Sequence, residues 1–171
     1  MTEIRNVKHL EWARQCARPQ CIPVGRPRGA KAQGLRYERL LASRLPLAKH
    51  GQWFEFTDGR LGHGYCQPDF LLMLPEVTVI LECKYTWTVD GHLQIERLYK
   101  PVVAEALGKP AVGIVVCKRL EAEMRGVSIV GDLKMAISLA VAGHRPVFHW
   151  LGKATVSLPS PRYVEEAMCA A

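Results

Sequence analysis

The chain has 171 residues, a net charge of +7 and 49% hydrophobic residues. That length and apolar content suffice for one buried core and exclude a disordered or low-complexity chain. No apolar run approaches the roughly 18 residues of a membrane-spanning helix, and residues 1–11 hold no apolar signal-like stretch, so a cytoplasmic protein with no membrane partner is expected.

Residues 1–33 read as a basic N-terminal arm. Residues 34–45 read as a helix with Leu35, Leu41 and Leu45 along one stripe. Glu38 lies on that stripe, while Arg36, Arg39 and Arg44 lie largely off it. Residues 52–57 read as a first strand, residues 70–74 and 77–84 as two more, with Pro75-Glu76 breaking the pattern between them. A helix is expected over 93–107, kinked near Pro101 and stopped by Gly108. Residues 111–117 read as a buried strand, 118–126 as a polar connection and 127–130 as a short strand. Asp132 is placed to cap a helix over 133–142, stopped by Gly143, and 146–151 reads as a final edge strand. The domain then spans 34–158, with a tail over 159–171.

The chemistry lies in Gln67-Pro68-Asp69-Phe70-Leu71-Leu72 and Ile80-Leu81-Glu82-Cys83-Lys84. Charged groups interrupt core-like strands in both, and isolated buried charge is costly unless paired or bound to metal. Alternation puts Thr78, Ile80, Glu82 and Lys84 on one face. A symmetric hairpin that pairs Leu74 with Val77 continues outward to pair Asp69 with Glu82, about 5 Å apart at Cβ. Carboxylates that close repel unless a proton or a cation lies between them. Two carboxylates and a lysine are also what a Mg²⁺-dependent phosphodiesterase requires. Taken singly, Asp69 also fits a turn residue, Glu82 and Lys84 an exposed ion pair, and Glu38 a partner for Arg39 or Arg44.

Pro68-Asp69 followed by Glu82-Cys83-Lys84 at the end of the next strand resembles the motif of the PD-(D/E)XK nuclease superfamily, over about residues 34–117. The resemblance implies an α/β fold with a restriction-endonuclease-like core, a central mixed β-sheet flanked by helices in the order αβββαβ. Many members carry a glutamate on the first helix, matched by Glu38. Exonuclease-like members carry a Gln on the second helix with a Tyr beyond it, matched by Gln94 and Tyr99. The implied site has Asp69, Glu82, the Cys83 backbone carbonyl and Glu38 around Mg²⁺ or Mn²⁺, Lys84 beside the attacking water, and Gln94 in support. Whether Lys84 takes a proton or stabilises charge is open at this stage. The implied activity is a metal-dependent deoxyribonuclease of junction-resolvase or exonuclease type in recombination, repair or phage DNA processing. A bacterial or phage-infected cell and a homodimer fit that type. A non-catalytic DNA-binding protein and an RNA-directed nuclease are the alternatives.

DNA also fits the charge distribution. Residues 1–50 carry 11 Lys and Arg against 3 acids, and the remainder 12 against 13. Arg26, Arg28, Lys31, Arg36, Arg39 and Arg44 are the candidate DNA contacts. Val24-Gly25-Arg26-Pro27-Arg28-Gly29 resembles an AT-hook, a slim minor-groove segment, although Val24 departs from its basic pattern; a linker touching phosphates is the competing reading. The six cysteines lack the framework of a small secreted domain. Cys83 and Cys117 fit reduced core positions, and Cys16, Cys21, His63 and Cys66 have ligand-like spacings for zinc. Trp87 is placed either to stack on a base or to pack in the core.

Overall fold

A computed structural model describes residues 4–10, 28–59, 62–120, 124, 126–153 and 156. The strands among the described residues form two sheets. The larger is mixed and six-stranded. Its centre is the hairpin of β5 (Phe70–Met73) and β6 (Thr78–Thr86). On one side β5 pairs with the two-residue β2 (Lys49–His50). On the other side β6 runs parallel to β7 (Ala111–Arg119), which is followed by β9 (Pro146–His149) and β8 (Ser128–Val130). The smaller sheet is antiparallel: β3 (Trp53–Asp58) lies between β1 (Ile4–Leu10) and β4 (Gly62–Cys66).

Alternation along the central strands gives the large sheet two apolar faces. Leu72, Val79, Leu81, Ile114, Val116 and Phe148 meet α1 (Gly29–Arg44) and α4 (Leu133–Val141) through Tyr37, Leu41, Leu133, Ala136 and Ile137. Leu71, Ile80, Val115, Cys117 and Val147 meet the other layer. That layer contains the small sheet, through Phe54, Phe56 and Cys66, and a long helical segment. The segment runs as α2 (Val89–Gln94), a π-helical turn (Ile95–Tyr99) and α3 (Lys100–Leu107), ending at Gly108 with φ 63°. The central strands are buried on both faces, as expected of parallel pairing. Among the described residues no helix is long and apolar enough to cross a membrane.

Several expectations change. The arm expected over 1–33 contains β1, paired with β3, and α1 begins at Gly29 rather than at residue 34. Its buried stripe is Tyr37, Leu41 and Leu45, with Leu35 only half-buried. The first expected strand, β3, joins the small sheet, so the large sheet does not contain the expected three-strand meander; only β2 extends β5. β9 is interior and β8 is the edge. The second helix begins at Val89, before residue 93. Asp132 does cap α4, its Oδ2 accepting from Met135 N at 3.0 Å. The tail over 159–171, most of the expected arm and part of the 118–126 connection lie outside the described residues.

Candidate functional site

The β5–β6 hairpin has the symmetric register expected from its turn. Phe70 pairs with Leu81 and Met73 with Thr78, and Leu74 N donates to Val77 O at 3.1 Å. Asp69 therefore arrives beside Glu82. Its main chain is fixed by Gly51 N, which donates to Asp69 O at 3.0 Å. Its side-chain Oδ2 accepts from Cys83 N at 2.7 Å. β5 pairing stops at Leu81, so the next stretch of β6 offers its edge to Asp69 rather than to a strand. Amide and carbonyl of one strand residue point to the same edge, so the Cys83 carbonyl faces this side too.

Glu82 is only 3% exposed. Its Oε1 accepts from Lys84 Nζ at 2.7 Å. Its Oε2 has no donor among the described residues. Burial first, and the Glu82 charge second, push the Asp69 carboxyl up to about 8, against the pull of the Cys83 amide. Burial likewise raises Glu82, with Lys84 opposing it. The Glu38 charge adds to both from α1.

Glu38 is held by a residue that sequence reasoning missed. His50 Nε2 lies 2.6 Å from Glu38 Oε1, and its ring stacks on Phe70 at 4.8 Å. His50 stands in a two-residue strand without periodicity; the only local signal is its place just upstream of the motif hairpin.

On the far side, Lys84 Nζ lies 3.4 Å from Gln94 Oε1. Gln94 Nε2 donates to the Tyr99 hydroxyl, and that hydroxyl donates to Gln67 O at 3.3 Å. In an α-helix, residues five apart do not share a face. The π-helical turn brings Gln94 and Tyr99 together, and such turns concentrate at functional sites. Pro101, at the start of α3, supplies a local reason for the irregular winding: it has no N–H to give to the preceding turn. Two glycines let this segment approach the sheet. A Cβ on Gly91 would sit 3.1 Å from Val115 Cγ2 and 3.4 Å from Lys84 Cε; one on Gly113 would overlap Ile95 Cγ2. Burial and the neighbouring Glu82 and Asp69 charges raise the Tyr99 phenol far above its ordinary value, so it stays a neutral hydrogen-bonding group.

Glu38, Asp69, Glu82, Lys84 and Gln94 are thus brought into one locality from α1, the start of β5, β6 and α2. Among the described residues no three His, Cys, Asp or Glu side chains form a ready-made metal cage. Mg²⁺ does not require one, being held by one or two carboxylates with water and substrate oxygens. Glu82 Oε2, which has no donor among the described residues, and the neighbouring Asp69 carboxyl are the oxygens that could hold a divalent cation. No family model, no curated protein and no solved structure matches the chain.

The remaining candidates fall elsewhere. Arg28, Lys31, Arg36, Arg39 and Arg44 lie on or beside α1, and Arg26 lies outside the described residues. Of the four candidate zinc ligands, His63 and Cys66 are described, and they point to opposite faces of β4. His63 packs against Tyr65 at 4.9 Å and pairs with Glu55 at 3.2 Å. Cys66, in the core, has its thiol pushed up to about 12 by burial, and alternation points it away from the His63 neighbour Tyr65. Cys16 and Cys21 lie outside the described residues. Cys66, Cys83 and Cys117 are free thiols. Trp87 is half-buried against the second core, its indole N–H buried with no acceptor among the described residues, so it is a packed aromatic rather than an open stacking platform.

Proposed function

We propose that this chain is a Mg²⁺- or Mn²⁺-dependent nuclease of PD-(D/E)XK type that hydrolyses phosphodiester bonds in DNA. The convergence of a buried carboxylate pair, Asp69 and Glu82, with Glu38 and Lys84 carries this reading. A structural ion pair has no use for the second buried acid, whose charge costs the fold stability unless a cation balances it. The order α1, β5–β6 hairpin, α2–α3 and β7 supports a restriction-endonuclease-like core, although β3 lies in a second sheet.

Asp69 and Glu82 would hold the metal, with Glu38 and the Cys83 carbonyl assisting. Bound there, the ion supplies Lewis acidity and charge neutralisation at the scissile phosphate. Lys84 places its ammonium between Glu82 and Gln94, where it stabilises negative charge developing on the phosphoryl oxygens. Its hydrogen bond to Glu82 Oε1 at 2.7 Å fixes the position of the ammonium for that electrostatic role. Gln94 sets the direction of the ammonium and is itself oriented by Tyr99. His50 fixes the Glu38 carboxylate. The arginines of α1 supply the electrostatic attraction for DNA.

The test is cleavage of linear duplex, single strand, flap and four-way junction, with matched RNA, in Mg²⁺, Mn²⁺ or EDTA. Cleavage of DNA that leaves 5′-phosphate ends, and is lost in EDTA and in Glu82→Gln, is expected. Metal-independent cutting, no cutting of any substrate, or full activity in Glu82→Gln would overturn the reading. Preferential cutting of RNA would reassign the substrate.

A further inference from the structure

A second polar feature lies one residue along the chain from this site, on the other face of β6. Tyr85 follows Lys84 and by alternation points away from it. It meets α1 and the end of β7 around a cleft of about 270 Å³, lined by Gln33, Arg36, Tyr37, Leu40, Tyr85 and Lys118. The floor is rigid. Tyr37 is 3% exposed, donates its hydroxyl to Trp150 O at 2.8 Å and meets the Tyr85 ring edge-on at 6.3 Å. The rim is cationic. Lys118 Nζ lies 5.7 Å and Arg119 Cζ 5.1 Å from the Tyr85 ring centroid, and Arg36 stands on α1. Among the described residues no carboxylate pairs with any of these three cations.

Cations held over an aromatic ring without an acidic partner are prepared for an external anion. Arg36 presents a guanidinium fork suited to two phosphate oxygens, and Lys118 a compact charge. The cleft is built from chain neighbours of the carboxylate site. Arg36 and Tyr37 precede Glu38 on α1, Tyr85 follows Lys84 on β6, and Lys118 follows Cys117, whose Cα is paired with that of Lys84. Tyr85 and Lys118 each stand one residue before the last residue of their strand, so both faces are reached from the same rim of the sheet. We propose that this cleft is a phosphate subsite that holds a backbone phosphodiester of the nucleic-acid strand adjacent to the one cleaved, and so sets the register of the strand across the carboxylates. This rests on the nuclease reading and adds to it the residues that position the substrate.

The experiment measures binding of the full chain to fluorescein-labelled single-stranded and duplex DNA in EDTA across a salt series, alongside cleavage in Mg²⁺. Lys118→Ala and Arg36→Ala are each expected to weaken binding roughly fivefold near 0.1 M salt and to flatten the slope of log affinity against log salt by about 0.7 on single strands and 0.9 on duplex. Lys118→Arg should keep the slope, and Lys134→Ala, on α4, should leave affinity and slope unchanged. Melting temperatures verify folding; Arg36 stands on the helix rather than in the sheet, so its variant keeps the test open if Lys118→Ala unfolds. If wild type binds and cuts while both alanine variants retain its affinity and salt slope, the cleft proposal fails and the nuclease reading stands. If the slopes flatten as expected but no Mg²⁺-dependent cleavage occurs, the nuclease reading fails and the cleft remains a nucleic-acid contact. Absence of any DNA binding by wild type overturns both.

Discussion

Replacing Asp69 with asparagine should stabilise the metal-free protein. The change removes one of two buried acids while keeping the shape of the side chain. The amide oxygen of the new side chain still accepts from Cys83 N, and its NH₂ group can donate to Glu82, whose Oε2 otherwise has no donor among the described residues. The sign follows from the proton balance. The Asp69 carboxyl is raised in the folded chain from an ordinary 3.8 to about 8, so between those values the folded state holds a proton that the unfolded state has released. Stability therefore falls as pH rises through that window. The part of that gap lying below pH 7 would correspond to roughly 4 kcal/mol, an upper bound; relaxation and water around the pair reduce it to about 1–3 kcal/mol. For a chain of this size 2 kcal/mol is about 4–8 °C in melting temperature. The assay is thermal and urea unfolding in EDTA from pH 4 to 8.5, repeated with millimolar Mg²⁺. The advantage of Asp69→Asn should be largest near pH 8 and vanish toward pH 4. Mg²⁺ should raise the wild-type melting temperature by binding the native state and raise the variant much less. A variant no more stable than wild type at pH 8 in EDTA, or an advantage independent of pH, would refute the reasoning.

Three further outcomes are expected. Lys84→Met leaves Glu82 Oε1 without its cationic donor, so stability should fall by about 1–3 kcal/mol at pH 8 in urea unfolding, with the loss shrinking as pH falls and Glu82 takes a proton. Gly113→Ala drives a methyl group into Ile95 Cγ2; the π-helical turn must move away from β7, costing about 1–3 kcal/mol or more by denaturant titration and lowering cleavage as Gln94 leaves Lys84. Tyr99→Phe removes the hydroxyl that links Gln94 to the Gln67 carbonyl; a stability loss of about 1–2 kcal/mol and a slower single-turnover cleavage step with unchanged DNA affinity are expected.

The motif hairpin and its carboxylates were legible from sequence because their determinants are local. Alternation along 77–84, the Pro75-Glu76 break and a symmetric turn suffice to bring Asp69 to Glu82, since a strand's side chains alternate strictly and a short turn leaves few registers. The Asp132 cap and the Gly108 and Gly143 stops were legible for the same reason. Tertiary structure alone decided the rest. β1 finds its partner about fifty residues later in β3, β4 is written in Gly, His, Tyr and Cys with no apolar rhythm, and the interior place of β9 depends on parallel crossovers that no local pattern encodes. The same holds within the site. Glu38 was visible on its helix, but its contact with His50 and the link from Lys84 through Gln94 to Tyr99 required the packing of three layers and a π-helical turn. The sequence by itself determined which residues carry charge into the core strands; only the folded chain decided which of them meet, because pairing across long sequence separation is set by the packing of whole elements rather than by neighbouring residues.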